Sequence, residues 1–143
     1  MINLLIGDYM RVYFIFEIKD EFKNLYKGRE FNLYKILKNI YRLNNNEAEY
    51  GYQLLKQITN PIKKEDLDRD LYVKLHRDYP YSKKNNIHYY NQLYKNEISR
   101  LKVKNIYIKL ETEQKDSSFF KILKKYSDNY FVCDFEIPNY FYL

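Results

Sequence analysis

The chain of 143 residues has one cysteine, three glycines, three prolines, two histidines and no tryptophan. Each scarcity excludes something. A lone Cys133 closes no internal disulfide; in an apolar, strand-like run with no histidine near it in sequence, it reads as an inert buried thiol and fits a reducing compartment. Three widely spaced glycines build no glycine-rich loop to cradle a phosphate. His76 and His88 belong to no spaced pair with a second histidine or cysteine, so neither a zinc nor a haem site is expected, nor any other cofactor. Asp66, Asp68 and Asp70 alternate with basic residues on what reads as a solvated helix, without the glycine and closing glutamate of a calcium loop. No apolar run approaches the ~18 residues of a membrane helix, and the opening Met1–Gly7 stretch is too short for a signal-peptide core. The expectation is a cytoplasmic protein with no catalytic centre and no membrane partner.

Aromatic and basic residues are abundant. Eighteen tyrosines and nine phenylalanines make 19% of the chain, more than one small core hides, so some rings should reach the surface as interface anchors. The formal net charge of +6 raises the question of acidic partners. The lysines, however, are spread along the chain with acids between them. Tyr, Asn, Ile and Lys are also the residues of AT-rich codons, so the composition follows genome bias as readily as a ligand. A basic module that stacks bases on exposed tyrosines is the alternative reading, although no direct nucleic-acid contact is expected.

Periodicity predicts an α+β fold: a single domain over 1–143, with a mostly antiparallel sheet packed against several helices in one layer pair. Residues 1–9 carry little pattern, and Met10 is a candidate start, which would make 1–9 a non-native or disordered extension. A helix is expected over 29–42 on the stripe Leu33, Ile36, Leu37 and Ile40. The Asn44–Asn46 cluster is turn and capping chemistry, and it precedes a helix over about 46–58 that ends at Asn60-Pro61. Leu67, Leu71 and Leu75 mark a charged helix from Lys63 to Leu75. Around Tyr79-Pro80-Tyr81 the chain is expected to turn into a polar loop. The aromatic-rich stretch 87–94 is open between strand and helix, and strands are expected at 98–103, 106–110, 130–135 and 139–143, with a tight hairpin at Lys104-Asn105. Asp116-Ser117 offers the N-cap of a helix that runs to about Tyr126.

The chain is organised around residues 13–30, YFIFEIKDEFKNLYKGRE. An apolar strand feeds a short helix that stops at Gly28. Phe22, Leu25 and Tyr26 fall at i, i+3 and i+4, flanked by Lys19, Lys23 and Arg29. The spacing leaves two orientations open: either Leu25 packs inward and the rings face out, or Phe22 and Tyr26 are the core stripe and Leu25 is peripheral.

This stretch resembles the opening of the SirA family of Firmicutes, with matching positions at Phe22, Asn24, Tyr26, Gly28, Arg29 and Glu30. Ile58-Thr59 with Pro61-Ile62 is a second match, and residues 119–135, FFKILKKYSDNYFVCDF, are similar to the family's late helix-then-strand block. Lys63 to Asn96 departs from the family pattern, and Met10 falls where the family usually starts. The resemblance implies a small cytoplasmic protein that binds the N-terminal domain of the initiator DnaA and blocks initiation of chromosome replication at sporulation. It also implies that Phe22 and Tyr26 of the first helix are the contacting aromatics. Lys19, Lys23 and Arg29 would form a basic rim around them, on a protein expected to be a monomer when free.

Overall fold

Alternation inside the first strand sets the architecture. In β1 (Arg11–Glu17), Tyr13 and Ile15 point to one side and Phe14 and Phe16 to the other, and all four are buried. A strand whose four consecutive central residues are apolar and buried needs cover on both faces. A computed structural model, which describes residues 10–114 and 116–143, supplies that cover. The order in the chain is β1, α1 (Asp20–Leu25), α2 (Glu30–Tyr41), α3 (Ala48–Ile58), α4 (Lys64–Leu75), β2 (Tyr81–Lys84), β3 (Ile87–Gln92), β4 (Glu97–Val103), β5 (Ile108–Thr112), α5 (Ser118–Leu123), β6 (Tyr130–Asp134) and β7 (Asn139–Tyr142). Single turns of tighter helix span Asn45–Glu47 and Leu93–Lys95.

The seven strands form one sheet in the order β2-β3-β4-β5-β1-β6-β7. Every neighbouring pair is antiparallel. β1 is central, with Phe14 opposite Lys109 of β5 on one side and Cys133 of β6 on the other. The α+β class is as expected, but the single layer pair is not. On the first face Tyr13, Ile15, Leu101, Ile108, Leu110 and Val132 pack under α4 and α5 through Leu67, Leu71, Leu75, Phe119, Phe120 and Leu123. On the second face Phe14, Phe16, Phe131 and Cys133 pack under α2 and α3 through Leu33, Tyr34, Leu37 and Ile58. Helices thus lie on both faces of the sheet. On its β2–β4 side the second face carries the exposed Lys84, Arg100 and Lys102.

Local chemistry explains most boundaries. Asn44 Oδ1 accepts the Glu47 N–H at 3.2 Å, and Ser117 Oγ accepts the Phe119 N–H at 3.2 Å and caps α5. Three expectations need correction. The stretch read as a polar loop after Tyr81 contains β2, an edge strand. Asn85 and Asn86 join it to β3, with φ of 52° and 67°, the left-handed pair that two-residue hairpins require. The turn between β4 and β5 is wider than Lys104-Asn105: Lys104 N–H donates to the Tyr107 carbonyl at 2.9 Å, so Ile106 lies in the turn. Asp68 is not solvated. It is buried against α4's own sheet, where Oδ1 lies 2.7 Å from His88 Nε2 and Oδ2 accepts from Lys64 Nζ at 2.6 Å. Residues 1–9 lie outside the described residues.

Candidate protein-binding site

A helix of six residues does not hold itself together in water, and α1 buries none of its side chains fully. Polar ties at both ends fix it instead. Lys19, in extended conformation at φ −61° and ψ 143°, opens the helix, and Asp20 and Glu21 occupy its first turn, where carboxylates favour the exposed N–H groups. The Lys19 N–H donates to the Ile58 carbonyl and the Asn60 N–H to the Glu17 carbonyl, at 2.9 and 2.8 Å. From the loop before β6, Asn129 Nδ2 donates to the Ile18 carbonyl at 2.8 Å and to Asp20 Oδ1 at 2.6 Å. In return, Lys23 Nζ donates to the Asp128 carbonyl at 2.7 Å and to Asn129 Oδ1 at 3.2 Å. The helix is therefore held rigidly while most of its surface stays in water.

Of the two orientations the spacing allows, the structure adopts the second. Phe22 and Tyr26 are half-buried and lean on the core beneath α2 and α3. Leu25 points outward and is 55% exposed. Two large rings bury more apolar area than one leucine, which is the physical reason for the choice. Each ring keeps part of its surface in solvent, so the outer side of α1 presents Leu25 with the rims of Phe22 and Tyr26.

The structure gathers some of the predicted cations and not others. Arg29 joins the group: its guanidinium lies 5.8 Å from the Tyr26 ring centre, and Nη2 donates to the Leu25 carbonyl at 2.9 Å. Lys23 lies beside the rings but is committed to the Asp128–Asn129 loop and to the Tyr142 ring, 5.1 Å away. Lys19 lines a separate groove of about 380 Å³ with Tyr52, Lys56, Thr59, Pro61, Asn105 and Ile106. Sequence reasoning missed Phe31, which is 52% exposed and contacts Tyr34 and Tyr140. The available signal was that Phe31 falls off the apolar stripe of its helix.

Gly28 shapes the α1–α2 junction. Its φ of 78° is left-handed, its N–H donates to Glu30 Oε1 at 3.1 Å, and the next residue's N–H closes on the Tyr26 carbonyl at 2.8 Å. An added Cβ would meet nothing within 4 Å, so only backbone strain opposes substitution. Gly28→Ala should therefore lower stability by about 1 kcal/mol, measured by urea unfolding, with an unchanged urea m-value.

The buried histidine is engaged within the fold. Tyr81 Oη lies 2.7 Å from His88 Nδ1, which completes a Tyr81–His88–Asp68–Lys64 chain. The histidine is fully buried, and burial, helped by the charge of Asp68, pushes the Tyr81 hydroxyl up to about 12. Burial likewise pushes the Cys133 thiol well above its ordinary range. Among the described residues no cluster of three or more His, Cys, Asp or Glu is placed to hold a metal ion, and no helix is long and apolar enough to cross a membrane. Many tyrosines carry a cation from their own chain, such as Lys56 at 4.8 Å from Tyr52 and Lys74 at 4.6 Å from Tyr126. Rings covered in this way have less face to offer a stacking base.

The family described as sporulation inhibitor of replication protein SirA matches residues 11–143, nearly the whole chain. No curated protein matches it.

Proposed function

From the premise that this chain belongs to the SirA family of sporulation inhibitors of replication, we propose that it binds the N-terminal domain of the initiator DnaA and acts by occlusion, with no chemistry of its own. The contact surface is α1, with Phe22 and Tyr26 as anchors, the outward Leu25 between them and Arg29 at the rim. The observation that carries the assignment is a short helix fixed at both ends whose outer side leaves two half-buried rings and a 55% exposed leucine in solvent. A surface already rigid before binding loses little conformational freedom on association. Partly exposed aromatics on a charged surface are where interface energy concentrates. The rim charge of Arg29, which forms no ion pair among the described residues, would act chiefly on association rate and salt dependence.

Calorimetric titration against the isolated DnaA N-terminal domain tests this. Phe22→Ala and Tyr26→Ala should each weaken binding by about 2 kcal/mol or more, roughly thirtyfold. Both rings also pack inward, so a thermal melt accompanies each variant. Leu25→Asp changes a residue that supports no core, and should weaken binding with an unchanged Tm. Native affinity in all three folded variants would refute the α1 assignment, and no binding by the unmodified protein would refute the partner.

A further inference from the structure

A second site lies between α2, α3 and the second face of the sheet. It is a cavity of about 490 Å³, and none of Lys19, Phe22, Lys23, Tyr26 or Arg29 lines it. Its walls include Phe14, Phe16, Leu37, Leu55 and Tyr107, and Lys109 is the one charged residue lining it. That lysine is half-buried, and its cross-strand neighbours are Lys102 and Phe14. Like charges directly opposite each other on an antiparallel pair repel and weaken the sheet. Glu111, two residues along on the same face of β5, is engaged by Arg100 at 2.9 Å, and neither Lys102 nor Lys109 forms an ion pair among the described residues. Lys104, the next cation on that side, sits over the Tyr107 ring at 5.5 Å.

A local rule broken without compensation inside the fold marks a functional position. An anion between the two ammonium groups would remove the repulsion, and the adjoining space is apolar and aromatic. The volume falls within the range of about 300–1,000 Å³ typical of small-molecule sites. We propose that this cavity binds a small amphiphile with one anionic head, a carboxylate or a phosphate. Its apolar chain or ring lies against Phe14, Phe16 and Leu55, and its head lies between Lys102 and Lys109. The site is independent of the α1 surface and of its partner.

Three probes of equal chain length, decanoate, decyl phosphate and decanol, are titrated below their micellar concentrations and followed by amide chemical shifts. One or both anions should bind about tenfold or more tightly than decanol, as a charge-assisted contact requires, and which anion is preferred identifies the head group. Lys109→Met keeps the apolar stem and should abolish the preference while leaving decanol binding unchanged. It should not lower Tm, because it relieves the repulsion with Lys102. Ala48→Phe, at an exposed position on the cavity wall, should block all three probes. The proposal is overturned by equal affinity for the alcohol and both anions, by binding of none, by a Lys109→Met protein that keeps its preference, or by undiminished binding to the Ala48→Phe protein.

Discussion

Replacing Asp68 with alanine should destabilise the protein by about 3 kcal/mol and lower Tm by on the order of 10 °C. Asp68 is 6% exposed and joins α4 to the β2–β3 hairpin. Its carboxylate can only accept, so His88 Nε2 is the donor, and Nδ1 of the neutral ring accepts the hydrogen bond that the Tyr81 hydroxyl donates. Without Asp68 a fully buried ring N–H has no acceptor. Lys64, whose side chain is 27% exposed, can turn to water, which keeps the loss toward the lower end of what broken buried pairs cost. Asp68→Asn, which retains one acceptor oxygen for the ring, should lose much less. The same network makes stability depend on pH. Burial pushes His88 below its ordinary value, and this outweighs the upward pull of Asp68. Below about pH 6.5 the unfolded chain takes up a proton that the folded protein refuses. The contribution of His88 is therefore complete above that pH and is lost as pH falls toward the depressed folded value. In the Asp68→Ala protein the upward pull is gone, so the loss should continue to lower pH. Thermal melts between about pH 5 and 7.5 measure both effects.

Glu97→Ala should have an effect of comparable size, about 3 kcal/mol, concentrated at α5. Glu97 is 4% exposed on β4, yet its carboxylate is surrounded by donors. Ser118 donates through its N–H at 2.9 Å and its hydroxyl at 2.6 Å, and Ser99 and Ser117 donate through their hydroxyls at 2.9 and 3.3 Å. The acid thus caps the start of α5 from across the core, beside the local cap from Ser117. Truncation leaves the Ser118 N–H and several buried hydroxyls without their acceptor. Hydrogen exchange should show α5 amides losing protection ahead of those in β1 and β6. Glu97→Gln should lose only about 1 kcal/mol, since the hydroxyls can rotate to accept from the new amide.

These two acids show where the sequence was legible and where it was not. Apolar periodicity depends on neighbours within a few residues, and it located β1, α2, α3, α4, β6 and β7 nearly to their ends. Capping is equally local, so the Asn44–Asn46 cluster and the Asp116-Ser117 pair could be read as caps, and the structure uses Asn44 and Ser117. Asp68 looked solvated, and Glu97 drew no reading at all, because the groups that satisfy them, His88 and Ser118, lie 20 and 21 residues away in sequence. β2 was hidden because an edge strand buries only Tyr81 and is otherwise as polar as a loop. At the candidate site the spacing placed Phe22, Leu25 and Tyr26 together but could not say which side faced the core. The choice depends on strands β1 and β6 and on an asparagine from the far end of the chain. The cavity beside Lys109 had no sequence signal, because a repulsive cross-strand pair exists only once the register of β4 on β5 is set.

The position of β1 governs how the molecule can be assembled. The earliest of the described strands lies inside the sheet, and neither of its partners exists until Ile108 and then Tyr130 have been synthesised. Through most of translation a strand with an apolar centre has no ladder to join and must wait beneath the early helices α2 and α3. Pairings this distant in sequence make for slow closure. A waiting edge of that kind is also a site where nascent chains associate wrongly. A chain that stops before β6 would lack one of the two ladder partners of β1, so the sheet is complete only once β6 and β7 have been made.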